Sequence, residues 1–557
     1  MCGFIGMIDA ERNPERLKSG LPWLARRGPD SQKLWISQDR QVGLLHARLS
    51  IVDSDPRAHQ PLTNARDQVT VAMVGEIYNY PELKKQYSNY PFLSSSDTEM
   101  ILAVYAAHGV EGFRLLKGMF AFALVDETRK KMILVRDSIG KKPLFVAKKS
   151  GQIYFGSTIF ALLGASQRAF ELSGQGTEHY WQEAFVDPAT SLFQNIQPVQ
   201  PGQVLIFDWN GKLDNTASCH PAPQMLYAQE SLEEVKDRVG LLLSQAIRRR
   251  LLDNPQPTFL LSGGIDSTVI GDLAKKEIAN ISGLSPAKFL TLGAVIPWTQ
   301  DEFFARYAAR KMGLPLQIIR PSLNVSTLGR SIIKSLTLQD EPLGMPSYFL
   351  LERLVHAAAQ HGRILITGDG GDEIFLGYDK VQEWKSSSQI SQNTEGLAPS
   401  WMSDWGRKAA TTTLLGHMLP KADRASAEQG VEMRCPLLDW DVVSYARSLP
   451  FEMLTHGSRS KSLLKDQLIG WPQWFLERSK LGFAYNLRWL WALSNYEGLR
   501  ESITKEDVQP YETRLPVSLR KSPTQWTRLD IFHSFDSAWK LLVWSQFLNR
   551  YRTVPRG

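Results

Sequence analysis

Three stretches of this chain carry residue types that do chemistry. Cys2 follows the initiator Met1, and a residue that small at position 2 normally leads to removal of the methionine. The exposed α-amine would then have an ordinary pKa of about 7.7–8.0, suited to take the proton of the adjacent thiol. The terminus would be nucleophile and base at once. The second stretch is Leu261-Ser262-Gly263-Gly264-Ile265-Asp266-Ser267-Thr268. Two glycines and small hydroxyls between an apolar strand and a helix let backbone N–H groups cradle an anion at the helix N-terminus. It lacks Gly-Lys-Ser/Thr and is not a Walker loop. The third is the acidic turn Gly368-Asp369-Gly370-Gly371-Asp372-Glu373 after Ile364–Thr367. Mg²⁺ favours such oxygen ligands, one or two carboxylates plus phosphate.

The elements that must position these residues fall into two halves. Up to about residue 210, short strand-like runs alternate with turn signals, as in Phe120–Val125, Lys131–Val135 and Val204–Phe207. They predict an α+β domain of stacked antiparallel sheets over 1–211. Residues 212–230 read as a linker. Beyond it, Leu232–Leu251 has helical periodicity, and the strand-like runs Thr258–Leu261, Phe289–Ile296 and Arg363–Thr367 alternate with helices. That pattern predicts a doubly wound parallel α/β sheet over 230–557, with helices dominating from about 400 to the Trp-rich Ala538–Phe547. Ligands gather beyond the carboxyl ends of such strands, so the second and third stretches can converge on one nucleotide.

A length of 557 residues implies two or three domains. With 43% hydrophobic and 22% charged residues the composition is that of a soluble globular protein. No apolar run is long enough for a membrane span, and the N-terminus does not read as a signal peptide. Three scattered cysteines argue against a disulfide framework and for a reducing cytoplasm. The net charge of +7 is scattered, and its densest cluster, Arg248-Arg249-Arg250, lies in a helical pattern. Small anionic substrates are therefore expected as partners, and neither nucleic acid nor membrane; a homodimer is allowed for. Ser386-Ser387-Ser388 reads as a surface loop.

Taken singly, each of these residues has an ordinary structural explanation. The ordered set does not. Cys2, Arg27-Gly28-Pro29-Asp30, Arg48-Leu49-Ser50-Ile51-Val52-Asp53, Gly75-Glu76-Ile77-Tyr78-Asn79, Ser96-Asp97-Thr98-Glu99 and Arg136-Asp137 resemble the class II, N-terminal-cysteine glutamine amidotransferase domain. The Ser-Gly-Gly-Ile-Asp-Ser loop resembles that of the N-type ATP pyrophosphatases. Asp340-Glu341-Pro342, Asp423–Ser426, Gly430–Arg434, Pro436–Asp439 and Lys461 follow in the order of asparagine synthetase B. The resemblance implies that Cys2 is the nucleophile and that Gly75 supplies an oxyanion N–H. It implies that Arg48 takes the glutamine carboxylate, with Leu49, Ser50, Ile51, Val52 and Val74 around it, while Asp97 and Glu76 hold the amino and amide ends. For ATP it implies Leu260, Ser262, Gly263, Gly264, Asp266, Ser267, Leu292, Thr367 and Gly368. Asp266 and Asp372 would hold Mg²⁺, Asp369 would lie near the acylating centre, and Lys461 would stabilise phosphate charge. Ammonia made from glutamine would then displace AMP from an acyl-adenylate, giving asparagine if the acid is aspartate.

Three departures leave alternatives open. Val74 stands where the family usually has an Asn that donates to the oxyanion, and loss of one such donor costs about 10²–10³ in rate. The glutaminase is then slow, uses another donor, or is partly vestigial. Arg26 stands where the family commonly has His. Gly344-Met345-Pro346 shortens the segment beside the acceptor pocket, which leaves a different carboxylate, or a β-lactam-type closure, as the alternative reaction.

Overall fold

The computed structural model describes residues 1–555 apart from 10, 150, 222–229, 294–299, 321–324, 338, 378–408, 457–459, 479–486, 494–495 and 497. Ser386–Ser388, the end of the expected strand at 294–296 and residues 222–229 of the expected linker lie outside the described residues.

The first half is built on two six-stranded antiparallel sheets. One runs Ile196–Pro198, Phe145–Lys149, Gln152–Gly156, Gly3–Ile8, Val42–Arg48, Ser31–Ile36. The other runs Leu213–Ser218, Gln203–Asp208, Lys131–Arg136, Gly118–Asp126, Val69–Ile77, Leu62–Asn64. Strand side chains alternate between faces. Phe4, Ile8, Leu44, Val74, Ala121 and Leu134 meet between the sheets. Their neighbours Ile5, Met7 and Leu45 face the helix Ile159–Ser166, and Val71, Met73 and Ile77 face the helix Glu99–His108. Both faces of each sheet are thus covered, which explains strands that read as nearly continuous apolar runs.

The expected end of this half at residue 211, and the linker from 212, need correction. Leu213–Ser218 is an edge strand paired with Gln203–Asp208. Its run Leu-Asp-Asn-Thr-Ala-Ser is mostly exposed and has no apolar face, so only the tertiary pairing makes it a strand.

The second half holds a five-stranded parallel sheet in the order Leu316–Ile319, Lys288–Leu292, Thr258–Leu260, Ile364–Ile366, Glu432–Arg434. Phe289, Ile364 and Ile366 point to one side, where the helices Leu232–Leu251, Ile265–Ala279 and Gln300–Met312 pack. Leu290 and Leu365 point to the other, towards the helix Ser347–Ala358. The expected doubly wound sheet is present. The terminal helix Phe535–Arg552 buries Trp539 and Trp544 completely. Its Trp544 stacks on Tyr180 at 5.3 Å, so one apolar core runs through both halves.

Candidate functional site

The helix Ile265–Ala279 and the turn after Ile364–Ile366 start from adjacent strands, and their backbones touch. A Cβ on Gly368 would lie 2.7 Å from the Ser267 nitrogen, so only glycine allows the approach. The loop is closed by its own hydroxyls: Ser262 and Ser267 Oγ atoms are 3.0 Å apart, and Ser262 Oγ accepts from the Gly264 N–H at 3.2 Å. Leu260, Leu292 and Thr367 sit at or just past the carboxyl ends of three neighbouring strands, so the residues expected around ATP share one sheet edge. The Thr367 hydroxyl donates to Asp369 at 2.7 Å and fixes that carboxylate in the turn.

Asp266 and Asp372 meet at Lys461. The ammonium is 2.6 Å from Oδ2 of Asp266 and 2.6 Å from Oδ1 of Asp372. Burial works against the charge, but the two carboxylates outweigh it and raise the lysine above its ordinary pKa. Among the described residues no group of three or more His, Cys, Asp and Glu could hold a metal. Two carboxylates sharing one cation do fit Mg²⁺, which takes one or two carboxylates and completes its shell with phosphate and water.

In the first half, Cys2 lies at the start of the strand Gly3–Ile8. Its Sγ accepts from the Leu49 N–H at 3.3 Å and lies 3.5 Å from the Leu49 carbonyl. Burial pushes the thiol up, against the pull of the chain-terminal amine. Met1 is itself buried, and burial lowers its amine to about 5. The buried Arg48 donates through Nη2 to the Asp53 carbonyl, while its Nη1 has no hydrogen-bond partner among the described residues. Ser50 donates its N–H to Asp30 at 2.7 Å, Ile51 packs against the core of the second half, and Val52 is half-buried. Gly75 has a φ of +119°, and a Cβ there would lie 1.9 Å from the Met119 carbonyl oxygen, so glycine is required. Val74 is wholly buried in the inter-sheet cluster against which Cys2 packs. Asp97 accepts the Ile77 N–H at 2.8 Å, yet burial outweighs this bond and lifts it to about 6.

The expected residues thus form two groups, one in each half, and the contacts between halves were not foreseen. Arg27 donates to the Cys2 carbonyl at 3.1 Å and forms a buried ion pair with Asp423 at 2.8 Å. Asp340 accepts the N–H groups of Ile159 and Phe160 at 2.5 and 2.9 Å, capping a helix of the other half. Its neighbour Glu341 is pushed up to about 7 by burial, against the pull of Arg424. A cavity between the halves is lined by Arg27, Lys141, Thr158, Glu341, Asp423 and Arg424. Arg26, in the position of the usual His, is exposed and pairs with Glu428 at 3.1 Å. Arg249 and Arg250 of the basic cluster are bound by Asp439 and Asp441. Arg478 was also missed. Its guanidinium stacks over Phe304 at 4.2 Å beside the Ser262–Gly264 loop, and no motif surrounds it in the sequence.

Comparison with known proteins agrees with this division. Residues 1–216 match the glutamine amidotransferase domain family, and residues 238–410 and 406–515 match the asparagine synthase family. Asparagine synthetase [glutamine-hydrolyzing] 1 of Bacillus subtilis is 26% identical over 92% of this chain and 91% of its own. Asparagine synthetase B of Escherichia coli is 25% identical over 96% of this chain and 91% of its own. Amidase chry2 of Gibberella zeae is 26% identical over 81% of this chain and 70% of its own. With both halves matched in this order, the chain belongs to the glutamine-hydrolysing asparagine synthetase family and is an ATP-using ligase of the amidotransferase type.

Proposed function

We propose that this chain hydrolyses glutamine at Cys2 and uses the ammonia to convert an acyl-adenylate into an amide, with aspartate as the acid and asparagine as the product. The observation that carries the reading is the meeting of Asp266 and Asp372 at one cation, 2.6 Å from each, at the mouth of the Ser262–Ser267 loop. Glutaminase work is assigned to residues 1–218 and synthetase work to 230–557.

Removal of Met1 would free a buried pocket beside Cys2. The Nη1 of Arg48, without a partner among the described residues, supports its role in taking the glutamine carboxylate, a geometry guanidinium favours. Asp97 takes the amino end and Glu76 the amide end. The freed α-amine takes the Cys2 thiol proton as the sulfur attacks the amide carbon, and the Gly75 N–H receives the oxyanion. The amine returns the proton to the departing nitrogen, so that ammonia leaves and a thioester remains. Water then releases glutamate from the thioester. In the other half the acid oxygen attacks the α-phosphorus of ATP and expels pyrophosphate. Asp266 and Asp372 would hold Mg²⁺, which when bound neutralises charge on the departing pyrophosphate. Lys461 moves to the phosphates, and ammonia displaces AMP from the acyl carbon and gives up a proton to water. The cavity from Arg27 and Asp423 to Glu341 supports passage of ammonia between the halves, where it is kept from protonation by bulk water.

A second reading keeps this chemistry and changes the acid. Gly344 donates to the Ala184 carbonyl at 2.6 Å, so the short Gly344–Pro346 segment is pinned to the first half beside the expected acceptor pocket. An amidase of Gibberella zeae among the relatives favours the same alternative. Pyrophosphate release with ATP, Mg²⁺ and glutamine across a panel of carboxylates tests both. Aspartate should give the strongest signal. Another acid in its place would overturn the aspartate assignment, and silence with every acid would overturn the reading itself.

A further inference from the structure

Glu76 and Arg434 are 358 residues apart in sequence and 2.5 Å apart in space. Arg434 ends the strand Glu432–Arg434 at the sheet edge that carries the phosphate loop. We infer that Arg434 is a positioning residue that couples the two sites, its guanidinium holding Glu76 of the glutamine pocket and its carbonyl holding the turn that carries Asp369. The inference rests on the two-site reading above.

The guanidinium is fully buried and its donors are spent in three directions. Nη2 reaches Glu76, Nε donates to Glu432 at 2.9 Å, and Nη1 donates to the carbonyls of Arg250 and Leu252 at 2.9 and 3.0 Å. The planar fork leaves Arg434 little freedom to turn without breaking several bonds at once. Its backbone is equally committed. Arg434 pairs in parallel register with Ile366, and its carbonyl accepts the Thr367 N–H at 3.0 Å. The Thr367 hydroxyl in turn holds Asp369. A movement of Glu76 therefore reaches Asp369 through one side chain, one backbone hydrogen bond and one hydroxyl.

Glu76 also has a reason to respond to its ligand. It shares the buried cation with Glu432 and has Asp97 near it. Burial raises Glu76 well above the usual carboxylate range, whereas Arg434 and Lys142 outweigh burial at Glu432 and lower it. The two carboxyl groups thus differ in their hold on a proton, and a glutamine amide arriving at Glu76 changes the balance around Arg434. The Tyr78 ring lies 4.4 Å from the Arg250 guanidinium and 5.7 Å from that of Arg434, which keeps the network dry. Coupling of this kind appears in a measurement that reads both sites at once.

The experiment uses the whole chain and measures the rate at which a glutamine-mimicking diazoketone alkylates Cys2, with and without ATP and Mg²⁺. Addition of ATP and Mg²⁺ should change the wild-type rate about fivefold or more, the lower end of ordinary site–site couplings. R434K keeps a cation between the carboxylates but lacks the fork. It should bind ATP within about threefold of wild type and lose the change in alkylation rate. A purely structural role would lower the unfolding midpoint and leave that change intact. If R434K does not fold, E432Q, which removes one acceptor's charge and keeps the fork, should at least halve the change. An equal change in variant and wild type, or none in a wild type that is alkylated and binds ATP, overturns the coupling. A wild type that is not alkylated at Cys2, or that does not bind ATP, overturns the two-site reading instead.

Discussion

The Lys461 ammonium lies 2.6 Å from the Asp266 carboxylate, with Asp372 at the same distance on its other side. A divalent ion held by those oxygens must displace it, and the lysine's flexible four-carbon stem lets it move to the phosphates. K461M should lower pyrophosphate release at saturating ATP by about 10²–10³, the usual cost of one electrostatic stabiliser. Glutamine hydrolysis should change by less than about threefold. Assay of both half-reactions on one preparation checks this, and an equal loss in both would place Lys461 in the fold only.

The separation of the two groups of residues predicts separable activities. C2A should abolish glutamine hydrolysis and leave the reaction with added ammonium salts within about twofold of wild type. It is the Cys2 backbone carbonyl, which the substitution keeps, that holds Arg27 and through it Asp423 of the second half. Amide formation from ammonium and from glutamine, measured side by side, decides the point. Loss of the ammonium-dependent reaction would show that Cys2 serves both halves.

Asp97, proposed to hold the glutamine ammonium, should set a pH limit on glutamine use. Burial holds its pKa at about 6 despite the Ile77 N–H, so the carboxylate takes up a proton as pH falls through 6. A neutral Asp97 cannot hold the glutamine ammonium. The glutamine kcat/KM should fall about tenfold per pH unit below that point. D97N should have a low kcat/KM at every pH and lose this limb. A wild-type profile flat from pH 7 to 5 would remove Asp97 from the binding site.

Legibility in the sequence followed the range of the interactions. The Ser262–Ser267 loop and the Gly368–Glu373 turn were readable because their chemistry is local: a strand, a glycine turn and a helix contiguous in the chain. The edge strand Leu213–Ser218 was lost because its polar residues carry no alternation, and only the neighbouring strand selects its conformation. The bonds of Arg27 to Asp423 and of Arg434 to Glu76 span 396 and 358 residues, and no local pattern announces them. Val74 shows the opposite case. Its identity was read as a missing donor, while the structure adds that it is a filled core position.

That addition decides what V74N would do. Val74 is wholly buried among Phe4, Leu44 and Ala121, with Cys2 against the same cluster. An asparagine there would place an amide N–H near the expected oxyanion, and one such donor is worth about 10²–10³ in rate. The same amide would enter an apolar layer with few acceptors, at a cost of about 1–3 kcal/mol. V74N should therefore raise the glutaminase kcat at least tenfold while unfolding at a lower temperature. Glutamate release and thermal unfolding of the same samples give the two readouts. A stable V74N with unchanged kcat would mean that another donor already serves the oxyanion, leaving Val74 as core packing alone.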